Sequence, residues 1–469
     1  MSENASTDGA EKKGPLDLFL SVFADVKGGE GLTALILMFD VFLMLVAYYL
    51  LKTVREPLIL EGGGVEAKNY ATLIQAGVLM LFVPAYAALT KRLPRMTLIT
   101  ATLVFFASNL VLFWLLALLK VPYIGGAFYV WLGCFSLCVI AQFWSLANDL
   151  YTPEQGKRLF AIIGIGSSLG AVAGSYLAKW FAQNSNPEDK TSPPNVDPFV
   201  TMLIAAGILL VCLALSWLAN TRETSMKQDD RVSPTKTPAI EEKPMAGKNG
   251  FSLLLDDRYL LVIALLILLL NVVNTTGETI FDLAILDKAR ADTPNFNELD
   301  EDSQKKVIKA FVGPFRADFF FWTNLIGAVA QLFIVSRVFK YLGIRIALLS
   351  LPLIGLLAYG GIALFPVLAF VRFMKIGENG TDYSLYNTTK QALWLPTTRE
   401  QKYNAKMTID SFVVRIGDLV ASVASILFLS LGFGIRTYAA VNVGIVAIWI
   451  AVAVIIGREN AKKTAAAPT

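Results

Sequence analysis

The chain contains no histidine. That removes Ser-His and Cys-His catalytic pairs and the side chain that ordinarily moves protons near neutral pH. There are only three cysteines, Cys134, Cys138 and Cys212, all inside apolar runs. An odd set of this kind is not a disulfide framework. Cys134 and Cys138 share a helix face, but without histidine they read as packing thiols rather than a metal site. Charge is scarce as well: 17% of the 469 residues are charged and 55% are hydrophobic, where a soluble protein carries about 25% charged residues. The net charge of +4 is too small and too scattered for a nucleic-acid-binding surface. There is no GxxxxGK[ST] loop, so the chain has no phosphate-cradling ATPase engine of its own. "GIGSSLGAVAG" (Gly164 to Gly174) looks faintly like a dinucleotide loop but lacks a preceding strand. Gly166, Gly170 and Gly174 read instead as a small-residue stripe for tight helix packing. No cofactor, no metal and no enzymatic activity are expected.

What the sequence has in abundance is apolar runs long enough to cross a bilayer as helices, each about 20 residues. Residues 1–30 form a polar N-terminus. Within it, 16–26 reads as an amphipathic helix lying on the membrane or as a lead-in to the first span, and not as a secretory signal. The N-terminal half, 31–219, holds spans near 31–55, 70–90, 96–119, 123–150, 158–182 and 198–219. A polar cytoplasmic linker, 220–256, follows. The C-terminal half, 257–457, holds spans near 258–286, 316–340, 344–365, 367–395, 405–432 and 436–457, with an outer insert at 287–315. Residues 458–469 are a cytoplasmic tail. Lys and Arg gather in alternate short loops (Lys91, Arg92 and Arg95; Lys157 and Arg158; Arg337, Lys340 and Arg345) and at the C-terminus. Both termini are therefore expected in the cytoplasm. The halves also resemble each other: "KTVRE" near the end of span one faces "NTTGE" in span seven, and Glu56 matches Glu278. Twelve helices in two six-helix halves is a major-facilitator-like, all-α polytopic architecture, with its site between the halves near the midplane.

Ionisable residues inside spans cost about 2.5–3.5 kcal/mol each on insertion scales, so each needs a reason. Span one ends in Lys52, Arg55 and Glu56. These anchor a helix end in the headgroups or bind a charged solute. Span seven carries Asn271, Asn274, Glu278 and Asp282 on one face, and span ten carries Arg372, Lys375, Asn379, Asp382, Tyr386 and Lys390 on one face. Span eleven adds Asp410, Arg415 and Asp418. Their charges nearly balance, so helix-locking ion pairs are one reading. The other is a shared central cavity, whose cations favour an anionic solute, Arg above all suiting phosphate or carboxylate. Asp149, Glu154, Lys157 and Arg158, at the junction of spans four and five, read either as a solvated loop or as a gate.

"YSLYNTTKQALWLP" (Tyr383 to Pro396) resembles the span-ten signature of the ATP/ADP translocase family, the nucleotide transporters of intracellular bacteria and plastids. "KMTIDSFVVRIG" (Lys406 to Gly417), "KRLFAIIGIGSSLG" (Lys157 to Gly170) and "LLKTVREPLIL" resemble further motifs of that family. The resemblance spans essentially the whole membrane region. It implies substrate recognition by Lys52, Arg55, Lys390, Lys406, Glu154 and Glu278. The chain departs from the family pattern at Gln155, Asp282, Asn387, Gln391 and Asp418.

The expected protein is a secondary transporter of an organic anion, a nucleotide of the ATP/ADP type foremost. It would work as a monomer in the cytoplasmic membrane of a bacterium, by exchange or proton-coupled uptake. Lys52, Arg55, Glu278, Arg372, Lys375, Tyr386 and Lys390 are the expected substrate-binding residues. Glu56, Asp149, Glu154, Asp282, Lys406, Asp410 and Arg415 are the expected gating or coupling residues. The alternatives are a proton-coupled carrier of another solute on the same fold, with Glu278 or Asp282 carrying the proton, and a non-transporting membrane scaffold.

Overall fold

The computed structural model describes residues 30–90, 92–151, 153–183, 194–229, 250–398, 401 and 405–466. The expected interfacial helix at 16–26 lies outside them. The described chain is a bundle of long helices. The first continuous helix, Glu30–Thr90, is broken at Gly63 and Gly64 into α1 (30–62) and α2 (65–90). Gly64 has φ 65° and ψ −154°, a conformation open to glycine and strained for a side chain. There follow α3 (Arg95–Leu118), α4 (Ile124–Leu150), α5 (Pro153–Ala182) and α6 (Pro198–Asp229). A short helix, Gly250–Asp256, leads into α7 (Arg258–Ala291); α8 is Glu301–Phe333, with a bent continuation at Val335–Tyr341. The last four are α9 (Gly343–Leu364), α10 (368–392, with a π-helical turn at Asp382–Tyr386), α11 (Lys406–Ser430, with a π-helical turn at Ile409–Val413) and α12 (Ile435–Ala466). Among the described residues nine helices are long and apolar enough to cross a membrane, or ten with the bent α8, when Glu30–Tyr86 counts once.

Several expected boundaries move. Span one does not end at its charges: α1 runs on through Pro57, and Leu58, Ile59 and Leu60 are buried. α6 stays helical to Asp229 and α12 to Ala466, into the residues expected as linker and tail. The insert at 287–315 is mostly the projecting ends of α7 and α8, joined by 292–300.

Two cores organise the bundle. One is built within 34–219, around Leu37, Phe106, Phe128, Phe135 and Phe143. The other is mainly C-terminal, around Ile263, Phe281, Leu348, Tyr359 and Trp449, and takes in Tyr49, Ile59 and Leu60 from α1. α1 packs tightly on α5 along the small-residue stripe: a Cβ at Gly166, Gly170 or Gly174 would lie 2.3–2.7 Å from backbone atoms of Met38, Phe42 or Val46. Large apolar side chains such as Leu112, Leu210, Leu357 and Ile448 stay exposed on the outside, as a lipid-facing surface requires.

The two described chain ends lie on one side. Arg158 at the start of α5 reaches Glu30 at 3.1 Å, and Lys463 near the end of α12 reaches Asp257 before α7 at 2.8 Å. α5 and α8 run antiparallel, with Ser175 near Asn324 (3.3 Å) and Lys179 on Asp318 (2.6 Å). The start of α5 therefore shares a level with the end of α8 and hence with the start of α7. This is called the terminus side below, and the opposite one the far side.

Candidate functional site

α1, α2, α4, α7, α8, α10 and α11 enclose a polar cavity of about 250 Å³ between the two halves. α1 contributes Lys52, Arg55 and Glu56, and α2 contributes Lys68, Asn69, Thr72 and Gln75. From the other half come Asn274, Thr275, Glu278, Thr279 and Asp282 of α7, Phe320 of α8, Asn379, Asp382 and Tyr383 of α10, and Asp418 of α11. The polar faces of the first, seventh, tenth and eleventh spans thus meet around one space.

The floor of the cavity is an ion cluster crossing both halves. Lys68 Nζ donates to Glu56 at 2.7 Å and lies 2.6 Å from Asp282. Arg316, fully buried on α8, bonds Asp282, donates to Glu278 at 3.0 Å, and lies 3.9 Å from Glu56. Its guanidinium stacks over Phe281 at 4.4 Å. Arg55 donates to Glu56 and lies over the Tyr129 ring at 4.4 Å. Three cations and three carboxylates compensate one another here. Breaking such a buried cluster by removing one member costs far more than the cluster adds. Of the three cations around Glu56, Arg55 is the one that, among the described residues, pairs with no second carboxylate.

Lys52 is different. Among the described residues it has no carboxylate within the 4.0 Å ion-pair distance. Its ammonium sits over Phe320 at 4.5 Å and near the rings of Tyr49 (5.4 Å), Tyr48 and Tyr383 (both 5.8 Å). The Tyr383 hydroxyl, at 3.5 Å, is a long hydrogen-bond partner. Aromatic faces hold the cation by their quadrupole and leave its N–H donors free for an anion.

Three of the residues expected to bind substrate turn away from the cavity. Lys375 is buried, 2.8 Å from Glu378, whose carboxylate accepts from Tyr359 at 2.8 Å. Arg372 bonds Asp318, which also receives Lys179 at 2.6 Å, in an ion triad near the far side. Tyr386 is buried edge-on against Trp449, 5.7 Å between centroids. The six residues of α10 do form one stripe, but it is broad enough to be divided between the cavity and the neighbouring helices. The π-helical turn at Asp382–Tyr386 also shifts the register, bringing Tyr383 to the cavity in place of Tyr386. Lys390 is not a lining residue either; its ammonium lies 3.6 Å from the cavity-lining Asp382.

The expected gating residues divide too. Glu56 and Asp282 belong to the buried cluster. Arg415 pairs with Asp418 at 2.8 Å, and Asp418 accepts from Thr275 at 3.1 Å. Asp149 is half exposed on the terminus side, 3.5 Å from Arg95. Asp410 is exposed, within electrostatic reach of Lys406 and Lys390. The side chain of Glu154 lies outside the described residues. Lys68 and Arg316 escaped the sequence reading because one follows a triple-glycine turn and the other sits in a mixed-charge stretch. A signal was present for the first: Lys68, Thr72 and Gln75 recur at helical spacing and all line the cavity.

The chain resembles known proteins in sequence and in shape. ADP,ATP carrier protein 1 of Chlamydia pneumoniae is 23% identical over 356 residues, 69% of this chain and 65% of its own length. ADP,ATP carrier protein 2 of the same organism is 23% identical over 380 residues, 72% of this chain and 66% of its own. The chain therefore covers slightly under two thirds of these relatives. The chloroplastic ADP,ATP carrier protein 2 of Arabidopsis thaliana is 23% identical over 478 residues, 88% of this chain and 72% of that protein. Among solved structures, the nucleoside transporter NupG superposes with a TM-score of 0.57 at 11% identity, covering 92% of this chain and 99% of that one. A bacterial homologue of the iron transporter ferroportin, in an inward-facing state, gives 0.58 at 12% identity, covering 91% and 98%. The fold is thus the all-helical, major-facilitator-like one that the two halves led us to expect. The family described as TLC ATP/ADP transporter matches residues 114–460, and with well over half its length inside that match the chain belongs to this family of membrane transporters.

Proposed function

We propose that this protein is a secondary transporter that exchanges an adenine nucleotide of the ATP/ADP type across a bacterial cytoplasmic membrane, both termini cytoplasmic, by alternating access. One observation carries the reading: Lys52 lies on the cavity wall with no carboxylate partner among the described residues, one helical turn from Arg55, the cation the buried cluster can release. Together they form a two-pronged anion site on α1. Phosphate would take Arg55 from Glu56, which keeps Lys68 and Arg316. The opposite wall offers Asn274, Glu278, Asn379 and Asp382, acceptors suited to the amino group and ribose hydroxyls at the other end of a nucleotide. The cavity of about 250 Å³ falls below the roughly 300 Å³ where small-molecule pockets begin. Entry therefore needs the halves to separate, and differential binding would bias that movement.

A second reading rests on the sign of the wall. The lining carries five carboxylates (Glu56, Glu278, Asp282, Asp382, Asp418) against three cations (Lys52, Arg55, Lys68). A proton-coupled carrier would use Glu278, whose side chain is 34% exposed, rather than the sealed Asp282 at 1%. Uptake of labelled ATP into cells expressing the protein decides, with and without a proton uncoupler. Exchange predicts uptake that is stimulated by internal nucleotide and survives the uncoupler. Lys52→Gln and Arg55→Gln should each weaken nucleotide binding about ten- to a hundredfold, the worth of a hydrogen bond to a charged group. Collapse with the uncoupler favours proton coupling. No nucleotide uptake at all rejects the nucleotide reading and leaves a proton-coupled carrier of another solute.

A further inference from the structure

A second pocket, about 410 Å³, lies between the far-side parts of α1, α5 and α6 on one side and the start of α8 on the other. Its chemistry is unlike that of the central cavity. Leu50, Val54 and Pro57 of α1 and Phe181 of α5 make an apolar wall, and Lys306 and Lys309 of α8 stand on it one turn apart. Among the described residues neither lysine has a carboxylate within the 4.0 Å ion-pair distance. The nearby acids are otherwise engaged or distant: Asp197 accepts from the N–H groups of Phe199 and Val200, and Glu61 acts on Lys309 only through space. Lys309 lies 5.7 Å over the Phe199 ring. Thr53, also on the wall, is buried, and its hydroxyl has no hydrogen-bond partner among the described residues. Beside Phe181, Trp180 is 53% exposed on the outside of the bundle. A lipid-facing tryptophan marks the level of the headgroups, so the pocket lies where headgroup meets acyl chain.

We propose that this pocket holds one acyl chain of an anionic phospholipid from the adjacent leaflet, with the lipid phosphate bound by Lys306 and Lys309. The apolar wall matches the chain, and the ammonium groups of Lys306 and Lys309, unpaired among the described residues, match the phosphate. The Thr53 hydroxyl is a spare donor for an ester oxygen. The occupant touches both halves, so it binds the arrangement in which the start of α8 lies against α1. It therefore stabilises the far-side-closed form over any form in which they part.

The test uses the purified full chain in detergent and counts retained lipid by native mass spectrometry, with phosphatidylglycerol and phosphatidylcholine as probes. The native protein should retain phosphatidylglycerol in preference to phosphatidylcholine, at one per chain. Lys306→Gln together with Lys309→Gln should weaken retention by about tenfold or more, since each basic residue near an anionic surface adds to the attraction. Gly313→Leu fills the pocket: a Cβ there meets nothing nearer than Ala182 Cβ at 3.8 Å and Pro57 Cγ at 3.9 Å. It should abolish retention while the protein still melts cooperatively. Should that variant not fold, Ala310→Leu fills the same space from the preceding turn. Equal retention of the two lipids by the native chain overturns the headgroup assignment. Native-like retention by the folded, filled variant overturns the pocket.

Discussion

Glu56 and Arg55 are neighbours in sequence and opposites in the consequence of losing them. Glu56 is 1% exposed and surrounded by Arg55, Lys68 and Arg316. Glu56→Gln would leave the buried cluster with three cations and two carboxylates. That should destabilise the protein by roughly 3–5 kcal/mol, the cost of leaving a buried charge uncompensated. Arg55→Gln leaves two cations against three carboxylates, but Arg55 stands on the cavity wall, 16% exposed, and its loss should cost less, about 1–3 kcal/mol. Thermal unfolding in detergent checks this: similar losses for both variants would mean that Glu56 does not anchor the cluster. The charges of span one were legible in the sequence as residues needing a reason, and so were Glu278 and Asp282. Their partners were not. Lys68 and Arg316 look like loop charges until α1 and α2 fold back on each other and α8 projects past the expected span end. Partnership across 34 to 214 residues of chain (Asp282–Arg316, Lys68–Asp282) is a property of the packed bundle and leaves no local pattern.

Among the elements, α7 shows how closely the C-terminal helices approach. A Cβ at Gly277 would fall 2.1 Å from the Tyr359 hydroxyl of α9 and 2.9 Å from Lys375 Nζ of α10. Gly277→Ala must therefore displace the Tyr359–Glu378 hydrogen bond and the Lys375–Glu378 pair, and should cost about 1–3 kcal/mol as overpacking. Gly360 on α9 has nothing within 4 Å of its Cβ position. Gly360→Ala should be neutral or stabilising by up to about 1 kcal/mol through helix propensity. Melting of the two variants side by side separates them, and equal melting temperatures would contradict the close approach. The same helices show where periodicity informs and where it misleads. On α7 the spacing put Asn271, Asn274, Glu278 and Asp282 on one face; the last three line the cavity, while Asn271 packs against Gly417 of α11. On α10 the same reasoning placed Arg372, Lys375 and Tyr386 there, and the fold gives them to Asp318, Glu378 and Trp449 instead. An ideal period does not anticipate a π-helical turn, and a stripe shared among three neighbours does not say which neighbour each residue meets.

For the whole molecule, the polar contacts described between the halves run from mid-bundle to the far side. Tyr49 donates to Asn324 at 2.8 Å near the middle, and Lys68 meets Asp282 at 2.6 Å below the cavity. Lys179 meets Asp318 at 2.6 Å near the far ends of α5 and α10. Opening toward the far side has to break the last two. The Lys179–Asp318 pair is 30% and 20% exposed, so its loss should shift the equilibrium by only about 0.5–1 kcal/mol. Its position gives that shift a direction: Asp318→Asn frees both Lys179 and Arg372 and leaves the cluster around Arg316 intact. Cys134, Cys138 and Cys212 are all buried, so a single introduced cysteine reports without a strong background. Asn379→Cys places a thiol on the cavity wall. Combined with Asp318→Asn, it should react about two- to fivefold faster with a membrane-impermeant maleimide added from the far side. Reaction from the terminus side should slow or stay unchanged. Acceleration from both sides would indicate general loosening, and no change from either would mean that the triad does not hold the far side closed.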